Sequence, residues 1–126
     1  MTLLLDGNAL LWLIWGSSSL GSHARAQMAS EPELVVSDVT VFEISLKAAR
    51  RKLHVPTGLA ELVEQLGIAR TGIRDDCLDA MRELPPHHRD PFDRYLIAQS
   101  LVDSVPVVTS DPVFAQYGVS VVDARS

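Results

Sequence analysis

Residues 3–8 of the 126-residue chain, Leu-Leu-Leu-Asp-Gly-Asn, join a short apolar run to a turn signal. Three consecutive leucines that stop at Asp-Gly-Asn are typical of a strand buried on both faces. The segment that follows, Ala9–Trp15, is apolar on every side, which indicates a helix buried in a core or in an interface. This strand, turn and helix form the first unit of an alternating α/β pattern.

The same alternation continues along the chain. We predict further strands at Glu33–Ser37, Ile68–Ile73, Val105–Thr109 and Val119–Val122, and further helices at Ser22–Ser30, Thr40–Lys52, Leu59–Leu66, Asp75–Leu84 and Pro91–Val102, with a short one after Pro112. Strands that alternate with helices predict a parallel β-sheet flanked by helices on both faces. Because the sequence has no internal repeat and a length near the usual domain size, we expect a single α/β domain over residues 1–126.

The amino-acid composition indicates which broad class of protein the chain belongs to. Hydrophobic residues make up 47% of the chain and charged residues 21%, which is typical of a globular protein and argues against long disordered segments. The single cysteine, Cys77, cannot form an intramolecular disulfide. The apolar run at residues 3–15 is interrupted and shorter than the roughly 20 residues of a membrane span, and the first residues have neither the basic segment nor the small-residue cleavage site that would predict a signal peptide. We therefore expect a cytoplasmic protein that does not contact a membrane.

The net charge of −5 argues against an ordinary nucleic-acid-binding protein. Such proteins are usually basic, since neutralisation of phosphates supplies most of their affinity. A nuclease that holds divalent cations with carboxylates is the exception, because the ions supply the positive charge that meets the phosphate. The acidic balance is therefore compatible with a nuclease only if its acids bind metal.

Four acidic residues occupy equivalent places in the predicted elements. Asp6 follows the first strand, Asp111 follows the strand that ends at Thr109, and Glu43 and Asp93 lie in the first turns of two helices. In a parallel sheet these positions all project toward the edge formed by the carboxyl ends of the strands. Four carboxylates at one edge repel one another unless cations lie between them, and oxygen-only ligands suit Mg²⁺ or Mn²⁺.

Each acid also fits a purely local role. The segment Thr40–Glu43 matches a capping box, in which the glutamate would only bond backbone amides. Asp6 and Asp111 stand at turn and helix-start positions, where an aspartate side chain bonds nearby amides. Asp93 would complement the dipole of a helix whose N-cap is Asp90. The residue pattern leaves both a shared site and four separate local roles open.

Basic residues follow Glu43 along the same predicted helix. Lys47 lies four residues after Glu43 and therefore on the same face, where it would guide a phosphate toward the cations. The basic stretch continues through residues 50–54, and a solvated helix end explains that part equally well. Arg94, which stands beside Asp93, would bind a phosphate or pair with a neighbouring acid.

Four segments of the chain resemble PIN-domain proteins of the VapC toxin type. Residues 3–12 resemble the opening of that family, in which a strand, an aspartate and Ala-Leu-Leu-Trp follow one another. Residues 37–47 and residues 107–111 resemble the second and fourth acidic segments. Residues 88–99, His-Arg-Asp-Pro-Phe-Asp-Arg-Tyr-Leu-Ile-Ala-Gln, resemble the third in the form of one VapC-like subgroup and are the most specific match.

The resemblance implies a PIN domain with a metal-bound quartet of Asp6, Glu43, Asp93 and Asp111. It also implies endonucleolytic cleavage of RNA with Mg²⁺ or Mn²⁺, by the toxin of a type II toxin–antitoxin pair. The implied partners are a second copy in a homodimer and a small VapB-like antitoxin that occludes the site. Asp6 is usually followed by Thr or Ser in this family, and Gly7 lacks the hydroxyl, which would lower metal affinity.

Other functions remain open on the residues alone. His87 and His88 would serve a metal-free nuclease if the fold separated the two rings suitably. Asp6 would serve as the nucleophile of a phosphotransfer fold, but neither Lys47 nor Lys52 follows a late strand, where such folds place a catalytic lysine. A PIN-like RNA-processing protein and a non-catalytic RNA- or protein-binding module complete the alternatives.

Overall fold

The computed structural model describes residues 1–30, 33–50, 55 and 58–126. Within these ranges the strands are β1 (Thr2–Leu5), β2 (Glu33–Ser37), β3 (Ala69–Thr71), β4 (Val107–Thr109) and β5 (Val121–Asp123). The α-helices are α1 (Gly7–Trp15), α2 (Ser22–Ser30), α3 (Asp38–Ala49), α4 (Leu59–Gln65), α5 (Asp75–Arg82) and α6 (Pro91–Asp103), and a 3₁₀ helix spans Pro112–Tyr117.

The strands form one parallel sheet in the order β3-β2-β1-β4-β5. Leu4 in the central strand β1 is paired with Val35 of β2 on one side and with Val107 of β4 on the other. The chain moves outward from β1 in one direction to β2 and β3, and then returns to place β4 and β5 on the opposite side. The gap between β1 and β4 is therefore the switch point of the topology, where parallel sheets of this kind open a crevice for ligands.

Helices cover both faces of the sheet. Successive side chains of β1 point to opposite faces, and because all of Leu3, Leu4 and Leu5 are apolar, both faces must be shielded from water. Leu3 and Leu5 are packed in one apolar cluster, to which α1, α2 and α4 also contribute. Leu4 is packed in a second cluster on the other face, together with Tyr95 of α6 and Phe114 of the 3₁₀ helix. The predicted α/β class, with a parallel sheet between two layers of helices, is confirmed.

The predicted order of elements is also confirmed, and only the boundaries differ. The strands predicted at Ile68–Ile73 and Val105–Thr109 are shorter than expected. The helix predicted at Thr40–Lys52 begins two residues earlier, at Asp38, because the Ser37 hydroxyl at the end of β2 accepts a hydrogen bond from the Val39 amide and caps the helix there. The predicted end of that helix, at Lys52, lies outside the described residues.

This earlier start overturns two predictions about α3. Glu43 is the sixth residue of the helix and does not lie in its first turn. Thr40 is not the N-cap, so the predicted capping box is absent. Thr40 lies within α3 and its side chain is buried in the protein, where its Oγ1 has no hydrogen-bond partner among the described residues.

Helix α1 has both a packed part and an exposed part. Trp12 packs against the core, and the Arg125 guanidinium lies 5.6 Å from its ring centroid. Trp15 is 43% exposed at the end of the helix, where Gly16 adopts a left-handed conformation and stops it. Trp12 therefore contributes to core packing, whereas Trp15 is exposed at the surface. No helix in the described ranges combines the length and the apolar character that a membrane span requires.

Candidate active site

A cleft of about 150 Å³ opens at the carboxyl edge of the sheet, beside the switch point between β1 and β4. Its lining is dominated by carboxylates and one ammonium group, contributed by Asp6, Glu43, Lys47, Asp90, Asp93 and Asp111. The structure thus brings together the four acids that the sequence singled out, although they come from four separate segments of the chain.

Two of these acids follow strands and also cap helices. Asp6 comes directly after β1, and its Oδ1 accepts a hydrogen bond of 2.8 Å from the Ala9 amide, which caps α1. Asp111 follows β4, and its Oδ1 accepts a hydrogen bond of 2.9 Å from the Val113 amide. The Thr109 hydroxyl accepts a hydrogen bond of 3.0 Å from the Asp111 amide and fixes the turn. Both aspartates cap a helix and still line the cleft.

The other two acids lie on helices that are capped by different residues. Ser37 caps α3, so Glu43 has no capping role there. The Asp90 Oδ1 accepts hydrogen bonds from the amides of Phe92 at 2.8 Å and of Asp93 at 3.2 Å, and it caps α6 as the sequence predicted. The carboxylates of Glu43 and Asp93 are therefore free of capping bonds.

The pKa of Asp6 is raised from 3.8 to about 6. Burial is the main cause, because it disfavours the charged form of the carboxyl group. The charges of Glu43 and Asp111 raise the pKa further, while hydrogen bonds from the Thr109 hydroxyl and the Ala9 amide lower it. Asp6 therefore carries its charge in an environment that opposes it.

The pKa of Asp93 is raised even more, from 3.8 to about 7. Burial is again the largest cause, and the charges of Asp90, Glu43 and Asp6 add to it. The side chain of His88 acts in the opposite direction. Two carboxyl groups with raised pKa values in one cleft indicate that the acids are crowded when no cation lies between them.

His88 occupies a place in this cluster that sequence reasoning did not assign to it. Its Nε2 lies 2.9 Å from Oδ2 of Asp111 and 3.0 Å from Oδ2 of Asp93. The three ligand atoms lie within 4.8 Å of one another. The only signal in the sequence was the closeness of His88 to Asp90 and Asp93 along the chain.

The two predicted substrate contacts differ in their surroundings. Lys47 is 54% exposed at the rim of the cleft, and its Nζ lies 3.2 Å from Oε2 of Glu43. Arg94 instead directs its guanidinium toward the end of α5 and the loop before α6, where it donates hydrogen bonds to the carbonyls of Met81, Leu84, Pro85 and His88. In this conformation Arg94 holds the loop, and neither of the two roles that the sequence suggested for it is visible.

The adjacent histidines do not form an acid–base pair. The exposed ring of His87 packs edge-on against Tyr117, with ring centroids 5.1 Å apart, whereas His88 faces Asp93 and Asp111. A metal-free histidine nuclease therefore has no support in the geometry. Of the rest of the basic stretch, Arg50 ends α3 at the surface, and residues 51–54 lie outside the described part of the chain.

The donor set fits a divalent cation. The cleft offers carboxylate oxygens from five residues, and such oxygens are the ligands that Mg²⁺ and Mn²⁺ prefer. Burial, with the neighbouring carboxylates, raises the pKa values of Asp6 and Asp93, and a cation in the cleft would favour their charged forms. Nε2 of His88 lies between two of the carboxylates, 3.0 Å from Asp93 and 2.9 Å from Asp111.

The fold and this cleft define an α/β domain with a carboxylate centre at the switch point of a parallel sheet. The family model of the PIN domain matches residues 3–119, and the chain belongs to this family. The resemblance to PIN-domain proteins that the sequence predicted is thereby confirmed. A search of curated proteins found no match to the sequence.

Several solved structures are similar to this chain over almost its whole length. VapBC2 from Rickettsia felis, bound to a DNA fragment from its promoter, is 11% identical, covers 97% of this chain and 98% of its own, and has a TM-score of 0.73. A toxin–antitoxin complex from Klebsiella pneumoniae is 18% identical over 96% of each chain, with a TM-score of 0.68. Mycobacterium tuberculosis VapC20, described as a Sarcin-Ricin loop cleaving toxin, is 16% identical over 98% of this chain and 99% of its own, with a TM-score of 0.64.

Proposed function

We propose that this chain is a metal-dependent endoribonuclease and the toxin of a type II toxin–antitoxin pair. The observation that carries the proposal is the convergence of Asp6, Glu43, Asp93 and Asp111 on one cleft of a PIN domain. PIN domains are generally nucleases, and one structural neighbour is a toxin that cleaves the Sarcin-Ricin loop. The alternatives are a PIN-like RNA-processing protein and a non-catalytic RNA- or protein-binding module.

In the proposed mechanism, Asp6, Asp93 and Asp111 bind one or two Mg²⁺ or Mn²⁺ ions, and Glu43 completes the ligand set or orients water. The bound ion supplies acidification of water and stabilisation of the charge on the phosphate during an in-line displacement. Lys47 presents its ammonium group at the rim, where it guides the RNA backbone toward the acids. The products of this hydrolysis carry 5′-phosphate and 3′-hydroxyl ends.

The proposed partners are a second copy of the chain and a small VapB-like antitoxin. Structural neighbours of this chain are toxin–antitoxin complexes, which supports an antitoxin partner. The exposed Trp15 on α1 and the exposed Phe42 on α3 offer aromatic surface of the kind enriched in protein interfaces. The homodimer rests on the family resemblance, and a cytoplasmic location follows from the proposed RNA substrate.

The decisive experiment is RNA cleavage by the purified, partner-free chain with Mg²⁺ or Mn²⁺, compared with EDTA and with Asp93→Asn. Cleavage is expected to require metal and to disappear in the variant while circular dichroism shows an intact fold. The matched control is Asp79→Asn, which removes a carboxylate whose side chain is 77% exposed on α5 and should leave cleavage unchanged. The end groups of the products are analysed on the same gels.

Three results would contradict the proposal. Cleavage that persists in EDTA would exclude a metal mechanism, and products with 2′,3′-cyclic phosphate ends would exclude hydrolysis by an activated water. A biological effect that survives Asp93→Asn would instead favour the non-catalytic binding module, because such a module uses its acids only as local structure.

A further inference from the structure

The loop between α5 and α6 holds one imidazole inside the acidic cleft. The side chain of His88 is only 16% exposed, and its backbone amide donates a hydrogen bond of 2.8 Å to the Tyr117 hydroxyl. Arg94 donates a hydrogen bond to the His88 carbonyl at 3.2 Å. The Phe114 ring packs edge-on against the imidazole, with centroids 6.1 Å apart. Backbone and ring are therefore both fixed by elements distant in sequence.

The hydrogen bonds of the His88 ring determine which of its two nitrogens carries the proton. The Asp90 amide lies 3.2 Å from Nδ1 of His88, and a backbone N–H can only donate, so Nδ1 must accept. In a neutral imidazole with an unprotonated Nδ1, the proton is on Nε2. Nε2 therefore donates a hydrogen bond to Oδ2 of Asp111 at 2.9 Å, and Oδ2 of Asp93 lies 3.0 Å from the same nitrogen.

We propose that His88 is a positioning residue for the cation of this site: its Nε2–H donates to Asp111, lies against Asp93, and holds the two carboxylates together for the ion. The proposal rests on the proposed function, which supplies the cation. Each carboxylate oxygen has two lone pairs, so an oxygen that accepts the N–H retains a lone pair for a metal. With its own proton on Nε2, His88 acts through the acids and is not itself a ligand.

Hydrogen bonds of this kind matter for affinity. Partners that orient a ligating group typically change metal affinity about 10- to 100-fold when they are removed. Asp93 and Asp111 lie on different elements, α6 and the turn after β4, and Nε2 of His88 contacts both carboxylates, at 3.0 and 2.9 Å. Without the N–H of His88, the positions of the two carboxylates would no longer be fixed relative to each other, and an ion that needs both would bind more weakly.

The test is a Mn²⁺ titration of the metal-free protein at pH 7.5, with free Mn²⁺ measured by electron paramagnetic resonance. His88→Ala removes the donor and is expected to weaken Mn²⁺ binding about tenfold or more. His88→Gln restores an amide N–H at a similar distance from the backbone and is expected to stay within about threefold of the wild type. His87→Ala, the matched control in the neighbouring position, should bind Mn²⁺ like the wild type.

The outcomes separate His88 from the nuclease itself. Equal Mn²⁺ affinity for the wild type and a folded His88→Ala variant would overturn the positioning role. A directly coordinated nitrogen in the pulsed spectrum of the wild type would overturn it too, because it would make His88 a ligand. A wild type that binds no Mn²⁺ would overturn both proposals, whereas one that binds Mn²⁺ but cleaves no RNA would overturn only the nuclease.

Discussion

The acids that follow strands and the acids that lie on helices enter the cleft in different ways. Asp6 and Asp111 each use one carboxylate oxygen to cap the helix that begins beside them. Glu43 and Asp93 cap nothing, because α3 and α6 are capped by other residues. At the ends of the strands one side chain therefore combines a structural and a site role, whereas on the helices the two roles belong to separate residues.

This difference changes how a capping position should be interpreted. A cap needs one oxygen of a carboxylate, and the second oxygen remains available to a ligand. A capping motif at Asp6 or Asp111 is therefore no argument against a shared site. On α6 the division of roles places Asp90 beside Asp93, and the extra charge helps to raise the pKa of Asp93.

The comparison is tested most strongly by Asp93→Ala against Asp111→Ala. Both variants are expected to lose RNA cleavage by about a thousandfold or more, because each removes a proposed ligand of the cation. Only Asp111→Ala also removes a cap, which lowers the free energy of unfolding by about 1 kcal/mol. Cleavage assays and urea unfolding at pH 8 in EDTA measure the two effects. Equal losses of stability would show that the two acids do not differ in this way.

The pH dependence of stability tests the crowding of the acids. The pKa values of Asp6 and Asp93 are about 6 and about 7 in the folded protein, above their ordinary value of 3.8. Between these limits the folded protein binds more protons than the unfolded chain, so raising the pH lowers the free energy of unfolding. A shift of two pKa units corresponds to on the order of 3 kcal/mol.

Urea unfolding of the metal-free protein from pH 4 to pH 8 measures this loss. Asp93→Asn is expected to flatten the profile, since it removes the group with the larger shift. Adding Mn²⁺ at pH 8 should restore stability, because the ion neutralises the same carboxylates. If the free energy of unfolding of the metal-free wild type rose with pH relative to that of Asp93→Asn, the interpretation of the acids as crowded would be contradicted.

Much of this site was predictable because two of its acids are positioned by local rules. An aspartate at the end of a buried parallel strand must lie at the carboxyl edge, which fixed the place of Asp6, directly after β1, and of Asp111, two residues after the end of β4. Glu43 was placed in the right cleft but in the wrong turn of its helix. Ser37 begins the helix as soon as β2 ends, whereas Thr40 is turned into the interior.

The roles of His88 and Arg94 were not predictable, because tertiary contacts determine them. His88 is held in the cleft by the hydroxyl of Tyr117, 29 residues away. Arg94 stands beside a proposed metal ligand, but four backbone carbonyls at the end of α5 and in the loop before α6 accept its hydrogen bonds. No periodicity or spacing reports which carbonyls a folded loop will present.

A smaller effect tests the division of roles on α3. Ser37→Ala removes the hydroxyl that accepts the Val39 amide at 3.1 Å, and it is expected to lower the free energy of unfolding by about 1 kcal/mol. Ser45→Ala, an exposed change within the same helix, is the control and should leave stability nearly unchanged. Because Ser37 contacts none of the acids, cleavage at saturating metal should persist in both variants. A loss of cleavage in the folded Ser37→Ala protein would show that the cap also sets the position of Glu43.

The smallest expected effect decides between the two possible starts of α3. In a capping box, Thr40→Val would remove a cap and cost about 1 kcal/mol. The structure buries the Thr40 hydroxyl without a partner among the described residues, so the substitution should change the free energy of unfolding by less than about 0.5 kcal/mol or increase it. Thr109→Val makes the same chemical change where the hydroxyl accepts the Asp111 amide, and it should cost about 1–3 kcal/mol. If urea unfolding showed equal losses for the two variants, the Thr40 hydroxyl would have a partner and α3 would not begin as described.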